Sequence, residues 1–237
     1  MRNILAIFRK EVRAAFRSPM AYVFLVFFAL FNGYFFTNTF FLFNQADMRA
    51  LFNIVPMVYL FFVPVVTMSL IARENNLGTS EVLATLPIQD YELVIGKYLS
   101  ALVLIFAGLA FTMVHFFTLL AVGTNIDYGT VISGYIGLAL VGAFYASLGT
   151  FSSSLTDNQV VAFIIAIGLV LVFYLLDKLL LFMPSALAGP IQFMAVDYHL
   201  SNIRRGVIDS RNLVYFGSLI WLFLMMTVRV VEMRKWR

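Results

Sequence analysis

Six apolar stretches of about 20 residues or more divide the chain, with shorter polar segments between them. A helix needs about 20 apolar residues to cross the ~30 Å hydrocarbon core of a bilayer. The stretches are continuously apolar rather than alternating, which argues against a transmembrane β-barrel. We therefore predict an all-α integral membrane protein with six transmembrane helices, at about residues 21–43, 51–72, 93–122, 131–151, 160–183 and 213–231.

Local signals refine the first two spans. Ser18 is a good N-cap and Pro19 a good first helical residue, so the first span should begin there. The second span contains Pro56 and Pro64, and a proline inside a helix removes one backbone hydrogen bond and clashes with the preceding turn. We expect the two prolines to kink the second span or to break it near its outer end.

Residues 2–17 predict an amphipathic helix ahead of the first span. One arc of its helical wheel holds Ile4, Leu5, Phe8, Val12, Ala15 and Phe16, and the adjoining arc holds Arg2, Arg9, Lys10, Arg13 and Arg17. Ile7 and Glu11 do not fit this division. A basic amphipathic helix beside a span lies in the interface near anionic head groups, here through Phe8, Arg9, Arg13, Phe16 and Arg17. It can act as a topogenic anchor or as an elbow that braces a partner site, and these roles are compatible.

The polar segment 73–87, RENNLGTSEVLATLP, carries the signals of a short helix. Gly78 allows a tight entry, Thr79 or Ser80 can cap, and Glu81 in the first turn favours the helix dipole. Pro87 ends the helix. A helix of about two turns is not stable alone in water, so it needs a groove to pack into. The alternative is a well-capped loop that rests on lipid head groups.

A second helix start follows this loop and leads into the third span. Asp90 can cap it, Glu92 lies in its first turn, and Gly96 and Lys97 continue it into the apolar stretch.

Composition supports the membrane interpretation and excludes several functions. The chain is 62% hydrophobic and only 12% charged, whereas soluble domains carry about 25% charged residues. It has no cysteine, which excludes disulfides, thiol catalysis and thiolate metal sites. The net charge of +4 reflects topology rather than nucleic-acid binding, because no soluble basic surface is predicted.

Basic residues set the expected orientation. Five Lys and Arg residues precede the first span, two lie between residues 73 and 97, and four lie at the C-terminal end, which accounts for eleven of the sixteen. The positive-inside rule therefore places both termini and the 73–87 loop in the cytoplasm. Arg204, Arg205 and Arg211 would then lie outside.

Other polar residues favour packing over chemistry. His115 and His199 lack further ligands at metal-binding or haem-binding spacing, so polar packing is expected and no metal site is predicted. Asp177 and Lys178 mark the end of the fifth span, with Lys178 snorkelling to the interface. Ser152–Asn158 lacks a paired base for serine catalysis and forms a second cytoplasmic loop. The centres of the spans carry essentially no Asp, Glu, Lys or Arg, which disfavours ion-coupled transport.

The fourth span carries a face of small residues, Gly134, Gly142, Ala146 and Thr150. Small faces allow helices to approach closely, either within the chain or across a dimer seam, and the sequence leaves both open. The apolar stretches within residues 184–212 are too short to span a bilayer. They are expected to form half-inserted helices on the outer side, where protein shields their backbone.

The 73–87 loop resembles the segment after the second span of ABC-2 type exporter permeases, whose pattern is R-E-x-x-x-G-T-x-E-x-L-x-x-x-P. The basic amphipathic start, the six spans and the GKYLSA entry at 96–101 fit the same family. The RRGVIDSRN segment at 204–212, with His199 upstream, is similar to the short gliding-motility-type branch. The resemblance covers essentially the whole chain and implies one ABC-2 type membrane domain over residues 1–237.

The resemblance implies roles for particular residues. Arg73 and Glu74 would close the end of span 2, Gly78 and Thr79 would start a coupling helix within residues 73–92, and Glu81 and Leu83 would face an ATPase. The outer segment would form a re-entrant gate over the exit, with candidate residues His199, Arg204, Arg205, Gly206 and Asp209.

The expected function is that of a permease subunit in a bacterial cytoplasmic membrane. The chain has no P-loop sequence, so it is not expected to be an enzyme itself, and ATP and Mg would bind to a separate ATPase. Expected partners are two ATPase chains, a second permease half and an accessory envelope protein. The runner-up is an ATPase-coupled scaffold that does mechanical work on an envelope partner. An intramembrane enzyme or haem protein is disfavoured.

Overall fold

The computed structural model describes residues 2–43, 48–79, 87–122, 127–179, 185–207 and 209–234. Within these ranges six candidate spans are long and apolar enough to cross a membrane. The prediction of an all-α integral membrane protein with six transmembrane helices is confirmed. The described helices are α1 (Arg2–Arg17), α2 (Pro19–Phe43), α3 (Arg49–Thr67), α4 (Ala72–Asn76), α5 (Asp90–Val122), α6 (Tyr128–Leu155), α7 (Gln159–Leu179), α8 (Ser185–Met194), α9 (Val196–Arg204) and α10 (Ser210–Arg234).

Helix α6 forms the centre of the bundle. In its apolar window 72% of the residues are buried, against 17% in α7 and in α10. Its glycines allow this, because a Cβ at Gly134 would lie 2.2 Å from a ring carbon of Phe52, and one at Gly142 would lie 3.0 Å from Ile105. The small face predicted on this span therefore packs within the chain, which settles the alternative between intramolecular packing and a dimer seam for these residues.

Helix α3 runs unbroken through both of its prolines. Pro56 and Pro64 are inside the helix and buried, as are Val55 and Val63, the residues directly before them. Of the two predicted outcomes, a break near the outer end is wrong, because packing of this helix offsets the hydrogen bonds that the prolines remove. A kink stays a prediction. The backbone leaves the helix only after Thr67, at residues 68–71, before α4 begins.

Short polar caps fix the ends of two helices. The Met20 N–H donates to Ser18 Oγ at 3.3 Å and Pro19 is the first helical residue, as predicted for the first span. Asp127 caps α6 by accepting from the N–H groups of Gly129 and Thr130. The Thr130 hydroxyl and N–H hold the pKa of the Asp127 carboxyl below its ordinary value.

Helices α8 and α9 occupy the segment between the last two spans. At 10 and 9 residues they are too short to span a bilayer. The side chains of Val196, Leu200 and Ile203 are buried, and the last two lie against Gly137 of α6. Helix α9 therefore packs against the central helix α6. Insertion of this segment into the bilayer remains a prediction.

Candidate functional site

Several polar contacts bring one end of the bundle together, and we call this end the terminal face. It contains α1, residues 68–79, the start of α5, residues 153–158 and the end of α10. The contacts that join these parts are Asn3–Glu92, Glu74–Lys97, Ile71–Ser153 and Asp157–Arg234. The other end, with Asn53, Asp127, Asp197 and Arg204, is the opposite face.

The turn between α3 and α4 is fastened to α6 by one serine. Ser153 Oγ accepts from the N–H groups of Ile71 and Ala72, both at 3.0 Å, and donates to Met68 O at 2.9 Å. These backbone groups lie where α3 has ended and α4 has begun, so they have no helical partner. A fully buried hydroxyl thus satisfies the unwound turn and sets where the 73–87 loop leaves the bundle.

The close approach behind this contact depends on glycine. A Cβ at Gly149 would lie 1.9 Å from Thr67 Oγ1, so no side chain fits between the end of α3 and α6. The Thr67 hydroxyl itself donates to Val63 O at 2.9 Å. The end of α3 is therefore held directly against the backbone of α6.

A buried lysine joins three elements at the base of the loop. The side chain of Lys97 is 2% exposed, and its Nζ lies 2.8 Å from Glu74 Oε1 of α4 and 3.4 Å from Glu11 Oε1 of α1. It also donates to Leu70 O at 2.6 Å. Lys10, 64% exposed, lies 3.5 Å from Glu11 and 3.8 Å from Glu74. We call these four side chains the Lys97 cluster, in which two lysines balance two glutamates.

The two residues that do not fit the amphipathic pattern of α1 both face α5. Ile7 is buried, and a Cβ at Gly96 would lie 2.9 Å from Ile7 Cβ. One turn further along α1, Glu11 reaches Lys97. Asn3, one turn before Ile7, donates to Glu92 Oε2 at 2.8 Å. Since these three positions are about one turn apart, they form a stripe that docks α1 on the start of α5.

Glu92 also closes the start of α5. Its Oε2 accepts from the Gln89 N–H at 3.3 Å, and Gln89 O accepts from the Glu92 and Leu93 N–H groups. This is the side of a capping box in which the N3 carboxylate reaches back to the N-cap. Gln89 therefore occupies the cap position, and Asp90 begins the helix.

The predicted loop residues lie in two places. Arg73 is exposed and Glu74 half-buried within α4, and Gly78 follows this helix with φ +67°. Such a φ is typical of the residue just beyond a helix C-terminus. Thr79 Oγ1 donates to Glu74 O at 3.3 Å. Glu81 and Leu83 lie outside the described residues, and Pro87 is described again three residues before α5.

The interfacial residues of α1 divide by exposure. Phe8 and Phe16 are half-buried, and the Phe16 ring lies 6.5 Å from that of Tyr22. Arg9, Arg13 and Arg17 are exposed. Phe16 of the predicted apolar arc thus packs on α2 and α5, whereas Leu5 of the same arc is 46% exposed. The arginines point away from the bundle. Their contact with lipid head groups remains a prediction.

The outer residues named from the sequence do not form one cluster. His199 is buried, stacks 3.9 Å from Tyr215, and places its ring nitrogens 2.8 Å from Asn212 Oδ1 and 2.9 Å from Phe193 O. Arg204 instead pairs with Asp197 at 2.7 Å and with Asn53 of α3.

The remaining outer residues shape the turn into α10. Arg205 and Gly206, the latter with φ +88°, form that turn, and Asp209 caps α10 through the Arg211 N–H. Lys178 of α7 lies 3.7 Å from Asp197, so an ionic group joins α7, α9 and α3 on the opposite face. Among the described residues no group of three His, Cys, Asp or Glu side chains is placed to hold a metal.

Sequence reasoning did not select Glu11, Lys97 or Ser153 as site residues. Glu11 carried a signal, because it interrupts the amphipathic pattern of α1. Lys97 also carried one, because it lies where α5 becomes continuously apolar. Ser153 is one of three consecutive serines, and no local pattern distinguishes it from the other two.

The fold and the site define a class of protein: a multi-pass helical membrane protein whose loop between the second and third spans rests on a buried ionic cluster. A family model for ABC-2 family transporter proteins matches residues 5–203, and the chain belongs to that family. A search of curated proteins found no match. Membership makes the chain a membrane permease of an ABC transporter and implies an ABC ATPase partner. The gliding-motility branch remains a prediction.

Proposed function

We propose that this chain is the permease subunit of an ATP-driven ABC-2 exporter, and that the 73–87 loop couples ATP hydrolysis on a separate ATPase to movement of a substrate out of the cytoplasm or the membrane. Two ATPase chains would bind ATP and Mg, and a second permease half, identical or related, would complete the path. The terminal face would be cytoplasmic in a bacterial inner membrane.

The observation that supports this proposal is the attachment of the loop to the bundle. Its start is tied to α6 through Ser153 and to α1 and α5 through the Lys97 cluster. Its end leads directly into α5, whose first turn is capped by Glu92. A force on the loop would therefore be transmitted through these contacts to α5, α6 and α1, which is the property that a coupling element needs.

The exposed apolar surface supports the assembly. Only 17% of the apolar windows of α7 and α10 is buried in the single chain. These helices offer surface to lipid or to a second permease half. The excess of basic residues near the termini supports a cytoplasmic terminal face, where the ATPase would have access.

The test uses the loop residues that would face the ATPase. The chain is co-expressed with a candidate ABC ATPase from the same genome, and the complex is reconstituted into vesicles that contain a fluorescent phospholipid. For the wild type we expect ATP-driven loss of the label from the leaflet that faces the ATPase. We expect Leu83→Asp and Glu81→Lys to abolish the ATP-driven movement of labelled phospholipid while the permease still folds.

A matched control places the same carboxylate elsewhere. Tyr128, 57% exposed on the opposite face, is changed to Asp, and this variant should transport as the wild type does. Normal transport and normal co-purification of Leu83→Asp would contradict the proposal. Coupled ATP turnover without movement of any labelled amphiphile would favour mechanical work on an envelope partner instead.

A further inference from the structure

We propose that Glu11 and Glu74 share Lys97 as exchangeable partners, so that Glu11 keeps the buried ammonium paired when the 73–87 loop moves. This inference rests on the proposed function and deepens it. It makes α1 a part of the coupling mechanism in addition to a membrane anchor, and it makes Glu11 and Lys97 positioning residues for the loop.

The geometry places one lysine between two carboxylates on different elements. A lysine ammonium has three N–H donors, and Lys97 has three acceptors within reach: Glu74 at 2.8 Å, Glu11 at 3.4 Å and Leu70 O at 2.6 Å. The nearer carboxylate belongs to α4, at the start of the loop. The farther one belongs to α1, which is not part of the loop.

Burial explains why two carboxylates are needed. The Lys97 side chain is almost fully buried, and removing the sole partner of a buried charge is strongly destabilising. If Glu74 were the sole partner, displacing α4 would leave the ammonium unpaired and would hold the loop in place. Glu11 removes that barrier, because the ammonium keeps one carboxylate while Glu74 departs.

The two carboxylates also differ in how firmly they are held. Glu11 lies on a 16-residue helix whose Ile7 packs in direct contact with Gly96, so its distance from Lys97 is fixed by backbone packing. Glu74 lies on the five-residue α4, between the 68–71 turn and Gly78 with φ +67°. The contact with Ser153 fixes the start of α4, so this short helix can rotate about its first residue.

The exposed member of the cluster completes the charge balance. Lys10 lies within 4 Å of both carboxylates and is 64% exposed, so water can replace either contact at little cost. With Lys10 and Lys97 against Glu11 and Glu74, the net charge of the cluster stays at zero whichever carboxylate holds Lys97.

The first test uses the permease alone in detergent. Glu11→Gln and Glu74→Gln are each expected to lower Tm slightly, because one carboxylate still pairs with Lys97. The double variant is expected to lose about 5 °C more than the sum of the two, or to fail to fold while both single variants fold. Adding Lys97→Met to the double variant should restore stability, because it removes the unpaired buried charge. Additive losses, within about 1 °C, would overturn the sharing of Lys97.

The second test measures coupling in the assembled complex. Glu11→Gln is expected to assemble with the ATPase at wild-type yield and to slow ATP turnover per complex at least about fivefold. Glu232→Gln is the matched control, since Glu232 lies on the terminal face in an exposed pair with Arg229. It should leave turnover unchanged.

The outcomes separate this inference from the proposed function. Wild-type turnover of Glu11→Gln, or a loss of yield with unchanged turnover per complex, would overturn the part given to α1. Failure of the wild-type chain to assemble with the ATPase would overturn the proposed function. The proposed role of α1 in coupling would then be overturned as well. The detergent experiment decides independently whether the two carboxylates share Lys97.

Discussion

At the residue scale, three polar side chains set where the 73–87 loop leaves the bundle. Ser153 holds the turn before α4, and Lys97 and Glu11 hold α4 against α5 and α1. Ser153 contacts Ile71, and Glu11 contacts Lys97, across more than 80 positions of the chain. The base of the loop is therefore a tertiary structure and not a local one.

Removing the Ser153 hydroxyl should destabilise this base. Ser153→Ala leaves two buried N–H groups and one carbonyl without their partner, and such losses cost about 1–3 kcal/mol. We expect Tm in detergent to fall by about 5 °C. Ser154→Ala is the matched control, because Ser154 is equally buried but its hydroxyl donates within its own helix, to Phe151 O. Equal losses from the two variants would contradict the capping role of Ser153.

Sequence reasoning reached these residues only in part. Ile7 and Glu11 stood out as misfits in the amphipathic pattern of α1, and the structure shows that both face α5. The pattern could not name their partners, because Gly96 and Lys97 lie almost 90 positions away and no local rule links them. Ser153 could not be found at all, since its role depends on where α3 ends.

At the element scale, the packing of the bundle depends on α6, whose small residues allow close contact, and on the short helix α9, which packs against it. Gly134, Gly142 and Gly149 let α3 and α5 pack against the backbone of α6. On the opposite face, α9 packs on α6 through Leu200 and Ile203 near Gly137, and Arg204 joins it to Asn53 of α3. Helix α9 is thus attached to the core through apolar contacts with α6 and through a polar contact with α3.

Loss of the Arg204 contacts should loosen α9 without unfolding the bundle. Arg204→Met removes the bonds to Asp197 and Asn53, which are partly exposed and therefore worth about 1 kcal/mol or less. We expect hydrogen exchange of the α9 amides to rise by up to about fivefold. Arg211→Met, which removes an exposed arginine at the start of α10, should leave exchange in α9 unchanged. An equal rise in both variants would contradict the attachment.

The small face of α6 and the six spans could be predicted from the sequence, because a local pattern of residues indicates each of them. The sequence was insufficient for α3, where two prolines suggested a break that packing prevents. The position of α9 could not be predicted from the sequence either, because its buried side chains pack against Gly137 of α6. Local patterns therefore predicted the helices, and tertiary contacts decided how they end and meet.

At the scale of the whole molecule, the two faces of the bundle differ in what they hold. The terminal face gathers α1, the loop, residues 153–158 and the end of α10, where Arg234 pairs with Asp157. The opposite face holds α8 and α9. An ATPase that binds the terminal face would meet the loop, and its motion would pass through α5 and α6 toward the segment on the other side.

The most direct test of this account is a cross-link between the loop and the ATPase. Because the chain has no cysteine, Leu83→Cys gives the purified permease a single site for a maleimide photo-cross-linker, which is attached before assembly with the ATPase. We expect illumination to give a covalent adduct of the 26.8 kDa permease with the ATPase, and Val207→Cys on the opposite face to give none. Equal, background-level adducts from both positions in an intact complex would show that the loop contacts lipid or solvent, and would contradict the account.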